Sequence, residues 1–136
     1  MKTIKTDICI IGAGSGGLSV AAGAVQMGAK VVLCEGGKMG GDCLNYGCVP
    51  SKAMIEAART MDICHRAAEF GIEIDNYQAN YKKVQKHVKD TIAKIEPHDS
   101  VERFESLDVK VIQEYAKLID KNTVKAGDTI INAKYI

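Results

Sequence analysis

Tryptophan is absent from this chain of 136 residues, and two phenylalanines and five tyrosines are all its aromatic side chains. Charge of one sign is lacking as well. A formal net charge of +1 gives no electrostatic case for a nucleic acid or an anionic membrane as partner. No stretch approaches the roughly 18 consecutive apolar residues of a membrane span, and no low-complexity tract or internal repeat is present. The five cysteines are odd in number and irregular in spacing, unlike the disulfide framework of a small secreted domain. What remains is an ordinary globular composition, 46% hydrophobic and 26% charged, long enough for one domain with a real core. Lys2 and Lys5 ahead of the apolar run from Ile8 to Val20 imitate a secretory signal. Glycines interrupt that run at positions with a better use, so a cytoplasmic protein is expected.

Asp7-Ile8-Cys9-Ile10-Ile11 is an apolar run of strand length, expected in a parallel strand buried on both faces, with Cys9 a core residue. It leads into Gly12-Ala13-Gly14-Ser15-Gly16-Gly17, a GxGxxG at Gly12, Gly14 and Gly17, and then a helix from about Ser15 to Met27 closed by Gly28. The first glycine permits the tight turn, the second lets a pyrophosphate approach the backbone, and the third lets helix and strand pack closely. A second strand, Lys30 to Cys34, ends in Glu35, 23 positions after Gly12. A carboxylate there can accept hydrogen bonds from ribose hydroxyls and repels a 2′-phosphate. A strand, a glycine turn, a helix, a strand and an acid in this order predict a dinucleotide site.

The most chemically loaded stretch is Gly40-Gly41-Asp42-Cys43-Leu44-Asn45-Tyr46-Gly47-Cys48-Val49-Pro50-Ser51-Lys52. Cys43 and Cys48 cannot be bridged across a regular helix, because five residues of rise separate their Cα atoms by roughly 7.5 Å. Gly47 supplies the required break. Pro50 suits the first turn of a following helix and pushes Val49 toward an extended conformation, which leaves Cys48 near a helix N-terminus. Unpaired N–H groups and the helix dipole favour a thiolate there, the reactive form in thiol-disulfide exchange.

Together the GxGxxG turn, Glu35 and the Gly40–Lys52 segment resemble the N-terminal FAD domain of the class I pyridine nucleotide-disulfide oxidoreductases, the family of dihydrolipoamide dehydrogenase, glutathione reductase and mercuric reductase. The resemblance runs from about residue 5 to the end. It implies an α/β, Rossmann-like FAD-binding domain with a parallel sheet, crossover helices and a small antiparallel β-meander. It also implies that FAD, rather than NAD, occupies the first glycine motif, held by Gly12, Gly14, Gly16, Gly17, Glu35, Gly41, Asp42, Cys43 and Lys52. By position Cys48 corresponds to the thiol facing the flavin, Cys43 to the thiol that exchanges with substrate, and Lys52 to a lysine near flavin N5. Asp42 stands where threonine is common, and a carboxylate near phosphate needs its own partner or a turn away.

Downstream, Ala53, Ala57, Met61, Cys64 and Ala68 mark one face of a helix from Ser51 to Phe70 closed by Gly71, with Cys64 read as packing. His65 beside it has no ligand-spaced partner, and no metal site is indicated. Ile72-Glu73-Ile74 reads as a short strand. A helix from Tyr81 to Ile95 follows, with a seam of Tyr81, Val84, Val88, Ile92 and Ile95 and a basic face read as solvated, a dimer contact being the rival since family members are homodimers. After the Glu96–Ser100 break comes a short helix to Leu107, then Val109 to Ile112 as the third parallel strand. Tyr115–Asp120, Thr123–Ala126 and Thr129–Ala133 form the meander, about residues 115–133, turned at Lys121-Asn122 and Gly127-Asp128. The resemblance assigns Ala116 a backbone contact to the adenine.

Tyr135-Ile136 reads as the opening of the next parallel strand. The chain is expected to be the N-terminal part of an FAD domain, without NAD(P) and dimerisation domains and inactive alone, since His65, His87 and His98 lack the spacing of the family's catalytic His-Glu pair. In the full-length enzyme electrons would pass from NAD(P)H through FAD to the disulfide and on to a small disulfide, dithiol or metal-ion substrate. Asp42, Tyr46 and the Glu96–Phe104 segment resemble mercuric reductase-related members, while Pro50-Ser51-Lys52 also matches dihydrolipoamide dehydrogenase. The alternative is a stand-alone adenine-nucleotide-binding module with a cysteine-pair redox switch.

Overall fold

The computed structural model describes residues 2–136, which form an α/β domain on one six-stranded sheet. Strand β1 (Lys2–Ile11) leads through the glycine turn to α1 (Ser15–Gln26), and β2 (Val31–Cys34) returns parallel to β1. Three helices follow, α2 (Gly41–Asn45), α3 (Cys48–Arg66) and α4 (Tyr81–Ile95), with short 3-10 turns after α3 and α4. The chain then forms α5 (Val101–Glu105) and returns through β3 (Val109–Ile112), β4 (Ala116–Asp120), β5 (Thr123–Ala126) and β6 (Thr129–Tyr135). The strand order is β3-β2-β1-β6-β5-β4, with the first four strands parallel and β5 and β4 antiparallel at one edge.

Period-two alternation sends the strand side chains to two different cores. On one face Val31, Leu33 and Val109 pack with Ala13, Leu18 and Ala21 of the turn and α1 and with Phe104 of α5. On the other, Cys9, Val32 and Cys34 meet Val124, Ala126, Ile131 and Ala133. That second cluster is built from strand residues only, so β5 and β6 supply the cover that helices supply opposite. Cys9 and Cys34 both lie in it, at 1% exposure each. Because Cys9 pairs with Val32 and Cys34 with Ile11, the two thiols are diagonal neighbours. Their Cα atoms are then roughly 7–8 Å apart, too far for a disulfide without backbone movement. They are core thiols, and the hydrogen bond with Cys9, with burial next, pushes Cys34 well above the ordinary thiol range.

Several expectations need correction. The helix expected from Ser51 begins three residues earlier, at Cys48, and Val49 is helical rather than extended. The clash that Pro50 imposes on its predecessor is outweighed by the continuous helix on its far side. The far end tightens into a 3-10 turn over Ala67–Phe70 before Gly71, which has φ 75°. That tightening shifts the buried position from the expected Ala68 to Ala67. Ile72-Glu73-Ile74 is irregular backbone, because no neighbouring strand is there to take its ladder bonds. The short helix expected to reach Leu107 ends at Glu105. Finally, β6 runs unbroken to Tyr135, antiparallel to β5 and parallel to β1, with Tyr135 opposite Ile8. The expected third meander strand and the expected next parallel strand are therefore one element. The helix over Tyr81–Ile95 starts as expected, capped by Asn80, whose side chain accepts from the Lys83 amide at 3.1 Å.

Candidate functional site

The glycine turn does what its spacing demands. Gly12 takes φ 104°, open only to glycine, and its amide donates to the Cys34 carbonyl at 2.8 Å, holding β1 and β2 together at the turn. A side chain at Gly17 would collide with the Gly12 carbonyl oxygen, so the missing Cβ is what lets α1 close onto β1. Side chains at Gly14 and Gly16 would meet nothing within 4 Å, so the backbone there is bare and reachable. The N-terminus of α1 has no side-chain cap and no acidic residue in its first turn. Uncapped amides and the positive end of a 12-residue helix dipole suit a phosphate. The residues present therefore fit the pyrophosphate of a dinucleotide.

Glu35 is fixed at the edge of this cradle. Its Oε2 accepts the Ala13 amide at 2.6 Å and its Oε1 accepts the Gly37 amide at 2.7 Å. A carboxylate oxygen has a second lone pair, so ribose hydroxyls can be accepted without breaking either bond. Beside it the ring of Tyr115 lies over Gly36, so close that a Cβ on Gly36 would come within 2.5 Å of the ring. Tyr115 thus borders the Glu35 bend, and its chain neighbour Ala116 opens β4, half-buried against the sheet core. The sequence reading placed Tyr115 inside the strand and gave it no part in the site. No periodicity could have revealed it, because its contact is with a loop some 80 residues away.

The cysteine segment packs directly onto the glycine turn. Gly41 opens α2 at φ 57°, and a Cβ there would lie 2.7 Å from the Gly14 Cα. This backbone contact makes the two motifs one site. Asn45, another residue with no role in the sequence reading, pins the segment by donating to the Met39 and Gly41 carbonyls at 3.0 and 2.8 Å. The Asp42 carbonyl takes the amides of Tyr46 at 2.9 Å and Gly47 at 2.6 Å, which ends α2. Gly47, at φ −113° and ψ −107°, then starts α3 on Cys48. The helix is thereby broken between the two cysteines, as a bridging pair requires.

Cys43 is half-buried and Cys48 exposed, both as thiols. The thiols lie within hydrogen-bonding reach of each other. That bond, with burial next, pushes Cys43 above the ordinary thiol range, while the charge of Lys52 pulls the other way. Cys48 stands at the first position of a 19-residue helix with no acid in its first turn. Lys52 sits four residues on, one turn along the same helix face. Lys38 lies 5.8 Å from the ring centroid of Tyr46, which is largely exposed between the cysteines.

The other candidates lie elsewhere. Cys64 is sixteen residues beyond Cys48 on the same helix, about 24 Å along its axis, beyond any exchange with the pair. It lines a cavity of about 570 Å³ between α3 and α4, together with Met61, Tyr77 and His87. That cavity includes neither the glycine turn nor the cysteine pair. His65 bonds Tyr77 at 3.0 Å instead. Among the described residues no three His, Cys, Asp or Glu side chains cluster as metal ligands, and no helix is long and apolar enough to cross a membrane.

Comparison with known proteins agrees with this geometry. The pattern of the family described as "Pyridine nucleotide-disulphide oxidoreductase" matches residues 6–136. A dihydrolipoyl dehydrogenase of Geobacillus stearothermophilus is 36% identical over 129 residues, 93% of this chain and 27% of that protein. A chloroplastic dihydrolipoyl dehydrogenase of Arabidopsis thaliana is 33% identical over 138 residues, 99% of this chain and 24% of that protein. The chain thus spans about a quarter of the length of these relatives. In fold it is similar to the flavoprotein disulfide reductase RclA of Escherichia coli, solved as a Cu(II) complex, with a TM-score of 0.73 at 18% identity, over 93% of this chain and 26% of that one.

Proposed function

The chain belongs to the pyridine nucleotide-disulphide oxidoreductase family, and from that membership we propose that it is the FAD-binding and redox-disulfide portion of a flavoprotein disulfide reductase. In this reading Gly12, Gly14, Gly16, Gly17 and Glu35 hold the adenosine diphosphate half of FAD. Gly41, Asp42, Cys43 and Lys52 line the path toward the flavin, and Ala116 offers backbone to the adenine. Bound FAD would supply the two-electron chemistry that links a nicotinamide to a disulfide. The chain's own part is the pair. A Cys43–Cys48 disulfide takes up two electrons and two protons to become the dithiol, and a cysteine thiolate then attacks a substrate disulfide sulfur, expelling one thiol through a mixed disulfide. Cys43 is assigned the exchange with substrate and Cys48 the place facing the flavin, where α3 supports its negative charge.

The observation that carries this reading is the Gly41–Gly14 backbone contact, which puts a cysteine pair against a phosphate cradle. The whole protein is proposed to be a cytoplasmic homodimer acting with NAD(P)H on a small disulfide, dithiol or metal-ion substrate, in the manner of dihydrolipoyl dehydrogenases or mercuric reductases. One dinucleotide motif is present in these 136 residues, so steady NAD(P)H-dependent disulfide reduction by this polypeptide alone is not expected.

Thermal-shift titration with FAD, ADP and riboflavin tests the cofactor, and mass spectrometry after mild oxidation tests the pair. FAD and ADP should raise the melting temperature while riboflavin does not, and oxidation should remove two hydrogens in a form that Cys43→Ser or Cys48→Ser abolishes and Cys64→Ser leaves intact. Stabilisation by ADP and NAD with none by FAD would favour the redox-switched adenine-nucleotide module. An unbridged Cys43–Cys48 pair would overturn both readings.

A further inference from the structure

Tyr115 is a large aromatic side chain left 79% exposed, yet it is held in place. The Glu35 amide donates to the Ile112 carbonyl at 3.0 Å, which ties the end of β3, and with it the short connection to β4, to the bend after β2. Ala116 packs on the strand-only core, while Tyr115, one residue earlier, turns to the bend instead. A Cβ on Gly36 would lie 2.5 Å from ring carbons Cγ and Cδ1 and 2.8 Å from Cε1. Near-equal distances to three consecutive ring carbons put that point above the face of the ring rather than off its edge. The tyrosine therefore lies flat on the Gly36 backbone, in space that only a residue without a side chain leaves free.

One face of the ring is thus seated and the rest is open to solvent. The side chain of Glu114, the preceding residue, lies instead against Gly127, where a Cβ would meet it at 3.1 Å. Beside the ring stands Glu35, half-buried and fixed by the Ala13 and Gly37 amides, with lone pairs left for ribose hydroxyls. A ribose carries its phosphates and its base on opposite sides of its hydroxyls. With Glu35 taking the hydroxyls and the α1 N-terminus the phosphates, the base falls on the side of the bend, where the open ring stands.

We propose that Tyr115 is the base-recognition residue of this site, its ring the platform on which the planar base of a bound nucleoside diphosphate packs. The inference deepens the proposed nucleotide site and rests on it. Every base has a flat π-face, so an open aromatic ring is a partner that needs no particular hydrogen-bond pattern. A tyrosine has few rotatable bonds, and with one face already seated it gives up little freedom on binding. Removing such a ring weakens binding roughly five- to tenfold, at the lower end of what base–aromatic stacking contributes.

The test is titration of the cofactor-free chain with ADP and with inorganic pyrophosphate, read by calorimetry and by tyrosine emission, which no tryptophan masks. Tyr115→Ala should weaken ADP roughly five- to tenfold and leave pyrophosphate binding unchanged. Tyr115→Phe should keep the ADP affinity while abolishing the ADP-dependent change in tyrosine emission, a change that Tyr81→Phe, on α4, should retain. Gly36→Ala should weaken ADP about as much as Tyr115→Ala, because its Cβ displaces the ring, and should add little in the Tyr115→Ala background. Wild-type ADP affinity in Tyr115→Ala, equal losses of ADP and pyrophosphate, or an emission change that survives in Tyr115→Phe would overturn the inference. A chain that binds ADP no more tightly than pyrophosphate, with or without the ring, would sink it too and leave the phosphate cradle standing. A chain that binds neither would sink the nucleotide site and the inference together.

Discussion

The glycine turn and the α3–α4 helical pair are built on different principles. Around the turn, backbone meets backbone: Gly17 against Gly12, Gly41 against Gly14, and Gly12 bonded to Cys34. Between α3 and α4, side chains meet across a seam in which Val88 is the only buried residue of α4 and Ala53 the only one of α3. Ile55, Ile63, Phe70, Ile72 and Tyr81 in and after these helices are each more than half exposed. A backbone contact has no slack, because neither partner can rotate away. A side-chain seam can repack, so sequence there is less constrained and the pairing is easier to loosen.

The comparison breaks most sharply at Gly17. A valine there would drive its Cβ into the Gly12 carbonyl, and strand and helix would have to separate at the site of the cradle. Gly17→Val is expected to cost more than 4 kcal/mol, within the range reserved for severe strain or overpacking. In thermal denaturation followed by circular dichroism the variant should melt well below wild type or fail to fold, and any folded remainder should give no ADP-dependent shift. A variant melting within a few degrees of wild type would show that the turn has slack after all.

In the helical pair the largest comparable change is smaller. Val88 is 7% exposed, so Val88→Ala removes buried methyls and should cost roughly 2 kcal/mol. Ile63, at 67% exposure on the outer side of α3, should tolerate alanine within about 0.5 kcal/mol. Urea denaturation of both variants reads the difference as a displaced midpoint at unchanged slope. Equal costs would mean that the exposed face of α3 is covered in solution. Neither substitution should change ADP binding, which separates this region from the turn.

The same contrast explains what could be read before the structure. The β1 to β2 unit was legible because strand burial, turn glycines, helix length and the closing acid are each local demands, and they agree. The break between Cys43 and Cys48 was legible from helix geometry alone. Ile72–Ile74 misled because its alternation has no partner strand, and no local pattern reports that absence. The unity of β6 was hidden because its residues satisfy a hairpin with β5 and a parallel ladder with β1 at once. Tyr115 and Asn45 were missed for a related reason: what they touch is set by how distant or irregular segments meet.

A smaller test probes how β1 is tied to the rest of the sheet. The Asp7 carboxylate takes the Lys30 amide at 2.9 Å and the Lys134 ammonium at 2.6 Å, joining β1 to the α1–β2 connection and to β6. The Lys134 bond comes first and the Lys30 amide second in holding Asp7 below its ordinary value, and Asp7 in turn raises Lys134. A depressed carboxylate contributes stability above its unfolded value near 3.8 and loses it as pH falls through the folded one. A raised ammonium contributes below its unfolded value near 10.5 and loses it as pH rises through the folded one. The pair should therefore act as a plateau across neutral pH with a loss at each extreme. Both side chains meet solvent, so the effect is small and salt-sensitive. Lys134→Met should flatten both limbs of a plot of melting temperature against pH, slightly at low salt and not measurably in 1 M salt. Asp7→Asn should do the same at the acid limb while also weakening the Lys30 bond, so it should lower the neutral plateau further than Lys134→Met does. Equal plateaus for the two would show that the Asp7 side-chain bond to the Lys30 amide adds nothing beyond the main-chain bonds that Asp7 and Ile8 already make to the Lys30 carbonyl.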